Sequence, residues 1–412
     1  SIQPSIISSR RCMLTQTCNR LSSSRTPTLP ILLRALTYRR AMSMTTVASP
    51  PDVLVEQRGR AICLTLNRPK ALNALTLSMV RSLRTAFEAT CADPETTCIL
   101  LTGAGGKAFC AGGDVRAVWQ AAREAGDDAS GMLQDAFFRE EYALNALIAG
   151  CPKPQVSVWD GITMGGGNGV SMHGQFRVAS ERAMFAMPET SIGLLPDVGG
   201  TFSLAAAPGE IGTYLGLTGA RIGAADLLYS GLATHFIPSA RLCELDAAMQ
   251  ACGSTSELEE TLGAMCSPAA AGPPPLLAHR DAIDRCFNAS TVEEIEAALS
   301  SEGSSWADET LMKLRRMSPT SLKVTLLLLR QAKGKSLGAC LQAEFRAVQR
   351  FVSPPSDFFE GIRAALVDKD RQPQWEPATL AAVNSKMLAE YLEPLGNREL
   401  VLPSIVGFRS VL

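Results

Sequence analysis

Two glycine-dense stretches, "LTGAGGKAFCAGGD" (101–114) and "GITMGGGNG" (161–169), present backbone N–H groups with little side chain in the way. Phosphate cradling is the first chemistry to test, and the spacing argues against it. A phosphate loop ends in Gly-Lys-Ser/Thr, but Lys107 is followed by Ala108, and Leu101 stands where the first glycine belongs. A dinucleotide fingerprint fits only in the degenerate form Gly103-x-Gly105-x-x-Ala108, which should open a helix at once. Here helical sequence begins only after Gly113. A second chemistry must be considered. Each stretch follows a strand-like run ("TTCILL", "QVSVWD") and enters a helix, so each corner can aim one N–H at a common point. Two converging donors form an oxyanion hole, which stabilises the oxygen anion formed when a carbonyl is attacked or enolised. Glycine suits the role because a side chain would block the approach and the backbone often needs positive φ. Losing one such donor typically raises a barrier by about 3–4 kcal/mol. On spacing alone, two tight turns are the better reading.

Other nucleophiles are poorly supported. "GVSMHG" resembles a serine elbow, yet His173 stands where the second glycine is needed, and no convincing Asp-then-His order follows Ser171. His173 and His235 read as structural histidines. Cys110 lies inside the first glycine loop with no base nearby in sequence and reads as packing. The 12 cysteines are scattered without a C-x-x-C pair and there are 3 histidines, so a metal site is not expected and reduced thiols are. A net charge of -1 gives no reason to expect nucleic acid. No apolar run reaches the length of a membrane span.

The elements that would position these loops alternate between strand and helix. "AICLTLNRP" sets Ile62, Leu64 and Leu66 on one face and stops at a proline. "TLSMVRSLRTAFEAT" follows with Thr76 as N-cap and Met79, Leu83 and Phe87 at helical spacing. "TTCILLTG" and "QVSVWDG" are buried strands, "GNGVSMHG" a short buried helix, and "RVASERAMFAMPE" reads as paired short strands. This is an α/β core over 52–266. Hydrophobic residues make up 46% of the 412, enough for a sizeable core. "SPAAAGPPP" (267–275) reads as a flexible or polyproline-like linker. Beyond it, 276–392 is helical, with Ser290 three residues before Glu293 as a capping pattern and Ser318 capping a helix that has Pro319 at its first position.

A resemblance adds to this reading. "NRPKALNAL", "KAFCAGGD", "ITMGGGNG" and "MPETSIGLLPDVGG" occur in the order found in the crotonase (enoyl-CoA hydratase/isomerase) superfamily, and the likeness covers about residues 52–376. "FFREEY", "HGQFRVAS", "GLATHFIPS", "SPTSLKVT" and "FFEGIRAALVDKD" resemble most the branch that hydrolyses 3-hydroxyisobutyryl-CoA, a step of valine breakdown. The resemblance implies an α/β fold, a crotonase-like spiral of ββα units with a helical C-terminal region. It implies that the glycine loops hold an acyl-CoA thioester oxygen through the N–H groups of Ala111 and Gly166, with Gly112 and Gly165 beside the substrate. It also implies that "KALNA" touches the CoA moiety through Lys70, Ala71 and Leu72. No metal or redox cofactor is implied, since CoA is part of the substrate.

The carboxylates then separate the chemistries within the superfamily. Hydratases resemble one another in carrying two glutamates that position a water. Gly169 occupies the first of those places; the second survives as Glu189 in "MPET". Asp197 in "LLPDVGG" is a new acid where hydratases usually have glycine. One carboxylate lost and one gained argues for hydrolysis over hydration. Glu189 would attack the thioester or act as general base on a water, and Asp197 would bond water or the substrate hydroxyl or shuttle a proton. The resemblance also points to Glu141 in "FFREEY" as a substrate contact. The competing readings are another reaction of the superfamily, such as enoyl-CoA hydration, and a non-catalytic scaffold subunit with this fold.

The ends differ from the middle. Residues 1–51 carry Arg10, Arg11, Arg20, Arg25, Arg34, Arg39 and Arg40, many serines and no acid before Asp52, the composition of a mitochondrial or chloroplast transit peptide, and with the resemblance the mitochondrial one is expected. A matrix location follows from that reading. "GGTFSLAAAPGEIG" is poorer in aromatics than the corresponding run of relatives, which bears on the acyl pocket. The tail 393–412 is unassigned. Relatives often form trimers, so a homo-oligomer is one expectation, and cover of the shared surface by the C-terminal helices is the other.

Overall fold

The computed structural model describes residues 50–125 and 133–402; the N-terminal basic segment read as a targeting sequence lies almost wholly outside them. Residues from Pro51 on belong to one compact unit. Its first hairpin joins β1 (Val53–Arg58) antiparallel to β2 (Ala61–Leu66). Every later pairing between named strands is parallel.

The chain then repeats one plan. A strand joins a large sheet, the next joins a small sheet, and a helix follows. β3 (Cys98–Gly103), β5 (Gln155–Trp159), β7 (Phe176–Ala179) and β9 (His235–Phe236) extend the large sheet in the order β1-β2-β3-β5-β7-β9, with β4 (Ala108–Cys110), β6 (Ile162–Met164) and β8 (Met184–Ala186) forming the small one. This is the spiral of ββα units that the family resemblance implied. One expectation is corrected: the strands of "RVASERAMFAMPE" do not pair with each other. β7 pairs with β5 and β9, while β8 pairs with β6. Short consecutive apolar runs look like a hairpin in sequence, but here the intervening turn carries the chain between sheets.

Helices α1 (Leu77–Ala92), α2 (Val115–Ala125), α3 (Leu133–Gly150), α4 (Gly166–Met172) and α5 (Gly200–Ala205) pack among the strands. Thr76 caps α1 by accepting from the N–H of Met79, and Met79, Leu83 and Phe87 are buried as their spacing requires. Trp159 and Phe185, one from each sheet, meet at 5.9 Å between ring centroids. The other face of the large sheet is covered by the helices Leu242–Ala251 and Thr255–Met265, which bury Leu245, Met249, Leu258 and Leu262.

Residues 267–275 are not a loose tether. A 3₁₀ turn spans Pro268–Ala271, the Ser267 N–H donates to Phe236 O, and the Leu276 N–H donates to Asp226 Oδ1. Beyond them the helices Pro319–Ala332 and Leu337–Phe351 share one apolar core with α1, α3 and α5. Ser318 and Pro319 open their helix as expected. The capping box upstream is formed by Thr291 and Glu294, one residue later than Ser290 and Glu293; two adjacent hydroxyl residues and two adjacent glutamates leave that register open in sequence. The described part of the tail turns back: Glu399 pairs with Arg346 at 2.7 Å, and Leu400 is buried.

Candidate active site

β4 and β6 lie side by side in parallel, with Ala108 opposite Ile162 and Cys110 opposite Thr163. Their C-terminal ends therefore deliver both glycine loops to one place. Gly112 and Gly165 take φ of +115° and +47°, a region that disfavours any residue with a Cβ. An added Cβ on Gly166 would lie 3.2 Å from the Gly113 nitrogen. The loops converge as the sequence led us to expect.

The donors are not quite those expected. The Ala111 N–H donates to Leu72 O at 3.0 Å, so it is already engaged. Leu75 N–H donates to Gly112 O and Asp114 N–H to Leu75 O, fastening the rest of the loop. The Gly113 and Gly166 N–H groups have no acceptor among the described residues, and both line one cavity. In this loop the amide of Gly113 is left free, and that of Ala111 is not. Nothing in "CAGGD" distinguishes these amides; the choice is made by Leu72, from a loop forty residues upstream.

That cavity, of about 90 Å³, is also lined by Glu141, Glu189 and Asp197, with Val115, Phe137, Phe138, Ile192 and Leu194 supplying apolar wall. Glu141 comes from α3, Glu189 opens the 3₁₀ turn Glu189–Ile192, and Asp197 sits on the loop before α5. All three are buried, with 2%, 5% and 4% of their surface exposed. None forms a salt bridge among the described residues. Glu189 Oε1 would be 3.1 Å from a Cβ on Gly165, and Glu141 Oε1 would crowd one on Gly166. Among the described residues, Glu141 Oε1 and Glu189 Oε2 have no hydrogen-bond partner. A buried acceptor without a donor is uncommon and marks a place where water or substrate belongs.

Burial without counter-charge sets the electrostatics. Burial, then the charge of Asp197, holds both Glu141 and Glu189 well above the usual carboxylate range. Burial likewise pushes Asp197 up to about 7, opposed by the Tyr142 hydroxyl, which donates to Oδ2 at 2.8 Å. Burial without a cation among the described residues disfavours three ionised carboxylates here. Protons are shared among them near neutral pH.

Position 169 explains what the site lacks. A Cβ there would come within 2.7 Å of Val198 Cβ and 2.9 Å of Asn145 Nδ2. The space a glutamate would need is filled by the loop that carries Asp197.

The remaining candidates fall where their chemistry allows. Lys70 and Ala71 are exposed on the 3₁₀ turn Pro69–Ala71, and with Leu72 they lie outside the cavity lining. Cys110 is buried, its thiol pushed up to about 12 by burial, which fits packing. The Ser171 hydroxyl donates to Gly167 O and accepts from Trp159 Nε1. His173 Nε2 donates to Val198 O at 2.7 Å, and burial lowers its pKa to about 4. Among the described residues no group of acids, cysteines and histidines suits a metal ion.

Two residues escaped sequence reasoning. Tyr142 holds Asp197, and its signal was a phenol directly after Glu141. Glu344 is wholly buried and accepts from the loop after Asp197. Its signal was an acid on the apolar stripe formed by Leu337, Leu341, Phe345 and Val348.

Spiral, hole and buried acids together define the class, and comparison with known proteins agrees. The chain belongs to the enoyl-CoA hydratase/isomerase family, whose model matches residues 61–392. Among curated relatives, the mitochondrial 3-hydroxyisobutyryl-CoA hydrolase of Rattus norvegicus is 45% identical over 373 residues, covering 89% of this chain and 95% of that protein. The Homo sapiens protein of the same name is 44% identical over 367 residues, covering 85% and 90%. Among solved structures, a carnitinyl-CoA dehydratase from Mycobacterium thermoresistibile matches with a TM-score of 0.79 and 40% identity over 86% of this chain and 100% of that one. An enoyl-CoA hydratase from Rhodobacter sphaeroides 2.4.1 matches with a TM-score of 0.77 and 41% identity over 85% and 100%. The structural relatives are titled dehydratase and hydratase, the curated ones hydrolase.

Proposed function

We propose that this protein hydrolyses the thioester of 3-hydroxyisobutyryl-CoA, giving 3-hydroxyisobutyrate and CoA. The observation that carries the choice between chemistries is position 169: packing leaves no room for the hydratase-type glutamate, while Asp197 stands beside the surviving Glu189. The names of the curated relatives point the same way.

The thioester oxygen accepts from the Gly113 and Gly166 N–H groups, which stabilise the negative charge it gains when the carbonyl is attacked. Glu189 Oε2, without a hydrogen-bond partner among the described residues, attacks the carbonyl carbon as the carboxylate, with the proton the acids share resting on Asp197. The tetrahedral intermediate collapses with cleavage of the C–S bond, and the CoA sulfur takes the proton of Asp197. An acyl–Glu189 anhydride remains. Asp197, now a carboxylate held by Tyr142, removes a proton from an entering water whose oxygen opens the anhydride. The products are the free acid and the Glu189 carboxylate, and Asp197 has its proton back. A pKa near 7 suits Asp197 to both transfers. Glu141 accepts from the 3-hydroxyl of the substrate. Lys70, Ala71 and Leu72 flank the CoA moiety at the mouth, Gly112 and Gly165 its thioester end. CoA is carried in by the substrate and no other cofactor enters the scheme.

The relatives are named mitochondrial, and the acid-free, arginine-rich residues before Asp52 suit import to the matrix. Among the described residues no helix is long and apolar enough to cross a membrane.

The test is thiol release from a panel of acyl-CoAs by the chain beginning at Pro51, with Glu189→Gln alongside. Preferred cleavage of 3-hydroxyisobutyryl-CoA, reduced by about 10³-fold or more in the variant, is expected. Water addition to an enoyl-CoA without thiol release would overturn the reading in favour of hydration, and no turnover of any acyl-CoA in favour of a scaffold.

A further inference from the structure

We infer that Glu344, on the helix Leu337–Phe351 and far from the reacting atoms in sequence, is the positioning residue for Asp197. The inference rests on the hydrolase reading above. The loop from Asp197 to Thr201 is costly to hold. Val198 takes φ of +54°, unusual for a β-branched residue, and Gly199 takes +79°. Such a conformation persists only where its surroundings enforce it.

The enforcement is visible atom by atom. Glu344 Oε2 accepts from the Gly199 N–H at 2.7 Å. Its Oε1 accepts from the Thr201 N–H at 2.9 Å and from the Thr201 hydroxyl. Gly199 and Thr201 flank the start of α5, whose N-cap has no side-chain bond of its own. Glu344 therefore supplies, from a distant helix, the cap that the local sequence lacks. On the other side His173 Nε2 donates to Val198 O, and the Gly200 N–H donates to Asp197 O at 2.7 Å.

The same helix also braces the partner of Asp197. Phe345, next to Glu344, packs edge-on against Tyr142 with ring centroids 5.8 Å apart. One helix thus fixes both the backbone that carries Asp197 and the phenol that orients its carboxyl. Two backbone N–H donors and the Thr201 hydroxyl meet the two Glu344 oxygens, so a carboxyl group satisfies the contacts at both oxygens. An amide does not, because its NH₂ would face an N–H. The charges of Asp197 and Glu344 are within reach of each other, since Asp197 is among the groups that raise Glu344.

A residue acting only through Asp197 has a signature that a general structural role lacks. Glu344→Gln lowers kcat for thioester hydrolysis by about tenfold with KM within about threefold, and in an Asp197→Asn background it causes no further loss. Thr201→Val, which removes one donor and keeps the fold, shows the same pattern with a smaller loss. Amide hydrogen exchange at Gly199 and Thr201 accelerates by about tenfold in Glu344→Gln. Losses that multiply with Asp197→Asn in both variants would overturn the proposal, as would unchanged kcat or unchanged exchange. If the wild-type protein hydrolyses no acyl-CoA, the hydrolase reading falls, and the exchange rates alone then decide whether Glu344 holds the loop.

Discussion

At the scale of single residues, the site is a problem in burying acids. Glu141, Glu189 and Asp197 line one cavity, Glu344 holds the loop after Asp197, none pairs with a cation among the described residues, and burial raises every one of them. Such a group favours folding while protonated, and the contribution is lost as pH rises through its folded pKa. For Asp197 the window runs from the ordinary 3.8 up to about 7, and the shift corresponds to about 4 kcal/mol. Asp197→Asn removes that term while its amide oxygen still accepts from Tyr142. The variant should gain stability relative to wild type as pH rises through this window, read by urea denaturation at several pH values. A pH-independent difference would show that Asp197 is not protonated by burial. Taking the difference matters, because His173, lowered to about 4, works in the opposite direction: its contribution is present above the ordinary 6.5 and lost as pH falls. Glu189 and Asp197 were legible because a motif frames them. Gly113 was not, because the choice among neighbouring amides is made by Leu72. Glu344 lay in plain view as an acid on an apolar stripe.

At the scale of elements, the hole exists because β4 and β6 are parallel neighbours, and helix α4 begins where β6 ends. Gly169 lies on the buried face of α4 against Val198 and Asn145. Gly169→Ala should therefore cost about 1–3 kcal/mol by overpacking, measured by chemical denaturation, despite the better helix propensity of alanine. Stability equal to or above wild type would mean that the contact yields and that position 169 does not exclude larger residues. Strand and helix identities followed from periodicity and caps, as at Thr76 and Ser318. What periodicity could not convey was which strands pair: the split of β7 and β8 between two sheets depends on contacts across the spiral. The one-residue shift of the cap to Thr291 has a similar origin, since only the fold chooses between equivalent hydroxyls.

At the scale of the whole molecule, the helices after residue 276 are part of the catalytic body. They contribute Glu344 and Phe345 to the support of Asp197, and Trp119 on α2 donates to the backbone of Phe359. The composition shift near "SPAAAGPPP" marked a change of secondary structure and not a break in the core. The relatives cover nearly the same length, so this joint architecture belongs to the family match as a whole. The central claim is that Glu189 becomes acylated while the glycine amides hold the oxygen. Its most direct test is hydroxylamine trapping during turnover of 3-hydroxyisobutyryl-CoA, followed by peptide mass spectrometry. Substrate-dependent inactivation with a hydroxamate on Glu189 is expected, absent from enzyme given hydroxylamine without substrate. Continued turnover with Glu189 unmodified under conditions that trap a model anhydride would contradict it.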